Sequence, residues 1–186
     1  SKTEYIDGRL SHSCKFVNGH FMAQQETKNG SVFDWIDRLM QASFKAVYTR
    51  DRRGGEVPDA LRLNSISEVF NFGTWSEYVK KRTQTAIHLS AESANESWDG
   101  VLKTDIDDAP TFAHLDSGSN EKWLWHGTSH EATAGISTAD FRLNLAGSNA
   151  GTLYGRGVYL AESITKSDEY TKADGEMWTA GGDTIK

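Results

Sequence analysis

Residues 151–163, GTLYGRGVYLAES, form a glycine-rich turn that runs into an apolar, strand-like segment. Three glycines and two tyrosines lie between Gly151 and Tyr159. Three structures are compatible with this stretch: a phosphate cradle, a tight hairpin, and a turn that holds aromatic rings against a flat ligand. Two common phosphate-binding patterns are excluded, because Leu160 stands where G-x-G-x-x-G needs its third glycine and Lys166 has no glycine before it.

Composition places the chain among ordinary globular proteins, since 37% of its 186 residues are hydrophobic and 25% are charged. The net charge of −6 argues against nucleic-acid binding, which depends on clustered lysine and arginine. One local basic cluster exists at Arg50, Arg52 and Arg53, and a solvated turn is the favoured interpretation of it. From the length of the chain we expect one domain, and we expect it to be a monomer. We expect no membrane association, because no apolar stretch approaches the length of a membrane span.

Cysteine usage and the N-terminus bear on location. Cys14 is the single cysteine, so an internal disulfide is impossible and a reducing, intracellular compartment is predicted. The chain starts at Ser1 rather than at methionine, and we interpret this start as a fragment boundary.

Local patterns in the first 120 residues predict a hairpin, two helices and one strand. Asn18-Gly19 between apolar runs predicts a hairpin at about 12–25. Ser31 and Asp34 form a partial capping box before a helix whose apolar stripe is assigned to the core: Val32, Trp35, Ile36, Leu39, Met40 and Phe44. Segment 61–70 alternates weakly, as a half-buried strand does, and a second capping box at Thr74 and Glu77 predicts a helix that ends near His88.

The C-terminal third alternates short strands with short helices, which predicts a mixed α+β domain. Segment 122–126, KWLWH, and segment 157–161, GVYLA, have strand composition. Segment 129–136 suits a helix, and Ser163 is a candidate cap for a helix over SITKSDEYTK. Residues 90–120 are polar and acidic, which indicates irregular structure.

A zinc site is the main alternative for the histidines, because His126 and His130 are four residues apart. That spacing places two imidazoles together only on a helix, whereas Gly127 follows the first histidine and a strand-like run precedes it. We therefore expect no metal site. A serine-hydrolase elbow is also excluded, since the chain contains no G-x-S-x-G sequence.

Four segments, in this order, resemble the catalytic domain of the poly(ADP-ribose) polymerases, the diphtheria-toxin-like ADP-ribosyltransferases. The family pattern combines W-H-G-[ST], a G-L-R-like segment, G-[KR]-G-[IV]-Y and S-K-S-x-x-Y. The matching residues are 125–128 (WHGT), 141–143 (FRL), 155–159 (GRGVY) and 165–170 (TKSDEY). Residues 65–82 also resemble the opening strand and helix of that domain, which extends the similarity to about 61–170.

The resemblance implies an ADP-ribosyltransferase fold, a mixed and mostly antiparallel split sheet with short flanking helices. It implies a catalytic domain at 61–186, with an N-terminal hairpin and helix at 1–60 packed on it. The implied activity transfers ADP-ribose from the co-substrate NAD+ to a macromolecular acceptor, which we expect to be a protein, and releases nicotinamide.

The resemblance also assigns roles to individual residues. Tyr159 and Tyr170 would sandwich the nicotinamide ring, and the Gly127 backbone with the Ser167 hydroxyl would bind its carboxamide. His126 would hydrogen-bond the adenosine ribose, with Thr128 beside it, and the loop at 143–154 would cover the site. Arg142 would reach the adenosine or phosphate end, and Gly157 would let NAD+ approach the backbone. The implied catalytic residues are therefore His126 and Tyr159.

One family feature has no counterpart here. The third signature residue, usually a glutamate that supports the ribosyl cation, lies in the family on a strand many tens of residues after the second tyrosine. Glu162, Glu169 and Glu176 do not match that position, and we expect the C-terminal strands of the fold to be missing from this chain. Two alternatives therefore stay open: a catalytically silent module that binds NAD+ or ADP-ribose, and a relative of the same fold that acts on RNA 2′-phosphates.

Overall fold

The computed structural model describes residues 15–17, 20–49, 52, 56–91, 100–110, 114–143, 155–171, 178–180 and 183–185. Within them lie five strands, four α-helices and a 3₁₀ turn at Ser117–Ser119. The strands are β1 (Lys15–Val17), β2 (His20–Thr27), β3 (Ile66–Asn71), β4 (Trp178–Ala180) and β5 (Asp183–Ile185). The helices are α1 (Ser31–Ser43), α2 (Phe72–Ala91), α3 (His130–Ala139) and α4 (Ile164–Asp168).

The described strands form two antiparallel sheets, one of three strands in the order β1-β2-β3 and one of β4 with β5. β1 pairs with β2, which confirms the predicted hairpin, although its Asn18-Gly19 turn lies outside the described residues. β2 pairs with β3 from Met22 opposite Asn71 to Thr27 opposite Ile66. The mixed helix-and-strand class is thus confirmed, while the split sheet and the boundary at residue 60 stay predictions.

Helix α1 supplies the core of the described residues. Trp35, Leu39 and Met40 are 1%, 3% and 4% exposed, so the predicted apolar stripe is confirmed at its centre. The predicted cap at Ser31 is wrong, because Gly30 is the N-cap and has a φ of 98°. A glycine suits this position, since residues with a side chain rarely adopt a positive φ. The helix ends at Ser43, and Phe44 is already extended.

Substitution of Trp35 by alanine tests this core. The ring of Trp35 packs edge-on against Trp123, with 5.6 Å between ring centroids. We expect Trp35→Ala to lower the free energy of unfolding by about 3–5 kcal/mol, the usual cost of truncating a buried aromatic residue. Val101, which is 84% exposed, provides the matched control, and Val101→Ala should cost less than about 0.5 kcal/mol in the same urea titration. Equal effects of the two variants would contradict this assignment of the core.

Helix α2 begins two residues before the predicted cap. The Asn71 side chain accepts hydrogen bonds from the backbone N–H groups of Gly73 at 3.0 Å and Thr74 at 3.3 Å. Thr74 instead donates its hydroxyl to the Asn71 carbonyl oxygen at 3.1 Å, so the predicted Thr74–Glu77 capping box is wrong. Asparagine is as good an N-cap as threonine, and the two residues compete for this role. The helix extends to Ala91, three residues past the predicted end at His88.

Among the described residues, the two strands predicted at 122–126 and 157–161 form one antiparallel bridge, between Trp125 and Ala161. The backbone N–H of each residue donates to the carbonyl oxygen of the other, at 2.8 and 2.9 Å. α3 is confirmed, and Ser129 caps it by accepting a hydrogen bond from the Ala132 N–H at 3.3 Å. α4 ends at Asp168, earlier than predicted, and Ser163 occupies its N-cap position without a side-chain capping bond.

Candidate active site

Trp125, which directly precedes His126, is held in place by both its backbone and its side chain. Its backbone forms the bridge to Ala161, and its indole N–H donates to the Ser43 hydroxyl at 2.8 Å. Ser43 is fully buried at the end of α1, and its own hydroxyl donates to the Met40 carbonyl at 3.2 Å. The core helix therefore sets the position of the WHG segment.

His126 contacts the segment that carries Tyr159. Its Nδ1 lies 2.9 Å from the Tyr159 carbonyl oxygen, and because a carbonyl only accepts, Nδ1 carries the proton. In the neutral ring Nε2 is then a hydrogen-bond acceptor. The edge of the ring also meets Phe141, with 5.0 Å between centroids and an interplanar angle of 87°. The exposed imidazole is thus held with its acceptor nitrogen available to a hydroxyl donor.

Gly127 lies directly against the backbone of Ser167. A Cβ atom built on Gly127 would lie 2.6 Å from the Ser167 carbonyl carbon and closer still to its oxygen. Only glycine permits this approach without a backbone shift, and its conformation does not involve a positive φ. Ser167 itself is 7% exposed. The structure therefore brings together the two residues to which the resemblance gives carboxamide binding, a role that stays a prediction.

The two tyrosines are each 39% exposed. The Tyr159 hydroxyl donates to the Gly155 carbonyl oxygen at 2.7 Å, and Gly155 has a φ of 92°, so the GRGVY turn folds back on its own tyrosine. Tyr170 follows α4, and its backbone N–H donates to the Ser167 carbonyl oxygen at 3.0 Å. Lys166 Nζ lies 5.2 Å from the centroid of the Tyr170 ring, within cation–π range.

The other predicted site residues lie on the same segments. Thr128 follows Gly127 and is half-buried, and Arg142 is exposed next to Phe141. Gly157 is half-buried, and a Cβ there would meet nothing within 4 Å. The predicted covering loop at 143–154 lies outside the described residues except for Leu143. The roles of Thr128, Arg142, Gly157 and the loop stay predictions.

One basic residue was wrongly interpreted from sequence. Arg52 belongs to the cluster favoured as a solvated turn, yet its side chain is 9% exposed and lies 3.2 Å from the Asp168 carboxylate. Arg50 and Arg53 lie outside the described residues. Neither hydropathy nor periodicity distinguishes Arg52 from its neighbours, because the contact joins segments 116 residues apart.

The described glutamates near the site have structural partners. The Glu169 side chain is fully enclosed, and its carboxylate accepts hydrogen bonds at 2.7 Å from the Thr49 hydroxyl and from Lys166 Nζ. Glu162 is exposed, and its carboxylate accepts from the Lys103 backbone N–H at 3.4 Å. Glu176 lies outside the described residues. The absence of the family's third signature residue from this chain stays a prediction.

The zinc alternative loses its geometric basis, since His126 lies outside α3, which begins at His130. Among the described residues, no group of three or more histidine, cysteine, aspartate and glutamate side chains is arranged to hold a metal. The same part of the chain contains no helix with the length and apolar character needed to cross a membrane.

Comparison with known families defines the class of this protein. A family model described as the poly(ADP-ribose) polymerase catalytic domain matches residues 48–179, more than half of the chain. The chain therefore belongs to this family, which has the ADP-ribosyltransferase fold and uses NAD+ as co-substrate. No curated protein matches the chain.

Proposed function

We propose that this protein is an NAD+-dependent ADP-ribosyltransferase that transfers ADP-ribose to a protein acceptor and releases nicotinamide. Family membership supports ADP-ribosyl chemistry in general. The observation that carries the specific proposal is the apposition of Gly127 and Ser167, which a single added methyl group would prevent. This apposition joins the WHGT segment to the TKSDEY segment, as the family's donor site requires.

The Gly127 backbone and the Ser167 hydroxyl suit a carboxamide. A carboxamide offers one acceptor oxygen and two donor hydrogens, and a backbone N–H, a backbone carbonyl and a hydroxyl complement them. Ser167 is buried, so a hydrogen bond there is made away from competing water. These two residues would fix the orientation of the nicotinamide group.

Tyr159 and Tyr170 would hold the nicotinamide ring between them. The ring is cationic in NAD+, and the electron-rich face of an aromatic side chain attracts a cation. Both tyrosines keep more than a third of their surface exposed, which leaves area that a ligand would cover. Their rings would also exclude water from the glycosidic bond that breaks.

His126 and Arg142 would bind the other end of the co-substrate. The acceptor Nε2 of His126 suits a ribose hydroxyl, because Nδ1 is occupied with the Tyr159 carbonyl oxygen. The exposed guanidinium of Arg142 offers a fork of donors to the adenosine or phosphate end. Thr128 and Gly157 would line the backbone on which NAD+ lies.

The second candidate is a silent module that binds NAD+ or ADP-ribose without cleaving it. The engagement of Glu162 and Glu169 in structural contacts favours it, since neither then supports a ribosyl cation within the described residues. The two candidates differ in chemistry but not in binding, and one paired experiment separates them.

Calorimetric titration with NAD+, combined with a nicotinamide-release assay on the same complete protein, is that experiment. We expect saturable one-to-one binding and release of nicotinamide above the rate of a buffer blank. Binding without release would support the silent module. An absence of binding at millimolar NAD+ would overturn the transferase, and an absence of ADP-ribose binding as well would overturn the silent module.

A further inference from the structure

Helix α4 is too short to hold its own orientation. It spans Ile164–Asp168, only five residues, and isolated helices below about 12 residues are marginal in water. Yet α4 carries Ser167, and Tyr170 follows it within one turn. The placement of both side chains therefore depends on contacts that other segments make with α4.

Three residues between α1 and β3 make such contacts: Lys45, Thr49 and Arg52, which we call the α4 clamp. The backbone N–H of Lys45 donates to the Thr165 hydroxyl oxygen at 2.8 Å. The Thr49 hydroxyl lies 2.7 Å from both carboxylate oxygens of Glu169. Thr165 is itself 2% exposed, so the clamp holds α4 through its buried side.

Arg52 contacts both ends of α4. Its Nη2 donates to the Thr165 carbonyl oxygen at 3.1 Å and to the Asp168 carboxylate at 3.2 Å. Its Nη1 donates to the Glu56 carbonyl oxygen at 3.1 Å, which ties the guanidinium to its own segment four residues further along the chain. The planar fork thus joins α4, through Nη2, to the Glu56 carbonyl oxygen, through Nη1, whereas a lysine ammonium carries all its donors on one nitrogen.

Arg52 also balances buried charge. Its Nε lies 3.9 Å from a carboxylate oxygen of Glu169, whose side chain has no exposed surface. Lys166 neutralises the same carboxylate at 2.7 Å and also faces the ring of Tyr170. Because removing one partner from a buried ion cluster leaves an uncompensated charge, loss of Arg52 would disturb Lys166 and thereby Tyr170.

We propose that Arg52 is a positioning residue for the nicotinamide end of the donor site, acting through α4 on Ser167 and Tyr170. This inference rests on the proposed NAD+ site. The contacts described for Arg52 on this side are with Thr165, Asp168 and Glu169, so its effect passes through the short helix. It should therefore govern binding of the nicotinamide group and leave the ADP-ribose part of the ligand unaffected.

The test compares two ligands, NAD+ and ADP-ribose, by calorimetry on the complete protein. We expect Arg52→Met to weaken NAD+ binding by about tenfold, since a displaced Ser167 would lose about one hydrogen bond to the carboxamide. ADP-ribose lacks nicotinamide, and its affinity should stay within about twofold. Arg52→Lys should give an intermediate loss for NAD+, because it keeps the charge but not the fork.

The matched control is Arg38, whose ion pair with Asp108 at 3.4 Å is exposed on both sides. Arg38→Met should leave both affinities within about twofold, as exposed ion pairs contribute little. Thr49→Val keeps the test open if Arg52→Met does not fold, and it should show the same preferential loss of NAD+ binding.

The outcomes are distinct. Unchanged NAD+ affinity, or an equal fall for both ligands in a folded variant, would overturn the role of Arg52. Wild-type protein that binds ADP-ribose but not NAD+ would overturn the nicotinamide site and this inference together. Wild-type protein that binds neither ligand would overturn the proposed function itself.

Discussion

Gly127→Ala is expected to lower NAD+ affinity by about 100-fold, because the carboxamide would lose two hydrogen bonds worth about 1.4 kcal/mol each. The added methyl group would overlap the backbone of Ser167, and backbone cannot move aside as a flexible side chain does. The WHGT segment is fixed by Trp125, so the strain would displace α4 and with it Ser167. We also expect the free energy of unfolding to fall by about 1–3 kcal/mol, as in other overpacked interiors.

Gly135→Ala is the matched control for this substitution. Gly135 lies in α3, and a Cβ there would meet nothing within 4 Å. Alanine is the better helix former by about 0.5–1 kcal/mol, so this variant should be at least as stable as the wild type and bind NAD+ normally. If Gly127→Ala bound NAD+ as tightly as Gly135→Ala, the close packing of Gly127 on Ser167 would have no role in the site.

Tyr159→Ala is expected to reduce both NAD+ affinity and the rate of nicotinamide release by about 30- to 100-fold. Loss of an aromatic face that contacts a cationic ring removes about 2–3 kcal/mol when area burial is included. The backbone carbonyl that accepts from His126 remains in the variant, so the effect reports on the ring rather than on the histidine.

Tyr159→Phe separates the ring from its hydroxyl. That variant keeps the ring and loses the hydrogen bond that the hydroxyl donates to the Gly155 carbonyl oxygen, which is worth about 0.5–1.5 kcal/mol. We expect its affinity and rate to stay within about tenfold of the wild type. Equal losses in the two variants would show that Tyr159 acts through its hydroxyl, and a Tyr159→Ala variant as fast as the wild type would remove Tyr159 from the site.

Short-range chemistry explains which parts of the fold could be predicted from sequence. The β1–β2 hairpin and the core face of α1 follow from local turn residues and helical spacing, and both were predictable. The caps were not, because Gly30 and Asn71 compete with equally suitable neighbours at Ser31 and Thr74. The segments around Trp125 and Val158 have strand composition, but within the part of the chain that the structure describes they pair through one bridge.

The candidate site likewise has a part that short sequence motifs predicted and a part that they did not. Its residues were found because four short segments match one family pattern, and the structure brings His126 to Tyr159 and Gly127 to Ser167. The α4 clamp escaped prediction because its contacts join residues more than 100 positions apart. A buried arginine and an exposed one look alike in sequence when their partners are that distant.

A crystal structure of the complete protein with nicotinamide tests the central claim most directly. The proposed function predicts the ring between the side chains of Tyr159 and Tyr170, with its carboxamide hydrogen-bonded to the Gly127 backbone and the Ser167 hydroxyl. Nicotinamide bound elsewhere, for example in the open 430 Å³ cavity lined by Arg82, His114 and Asp116, would contradict it. So would the absence of bound nicotinamide from crystals soaked at a saturating concentration.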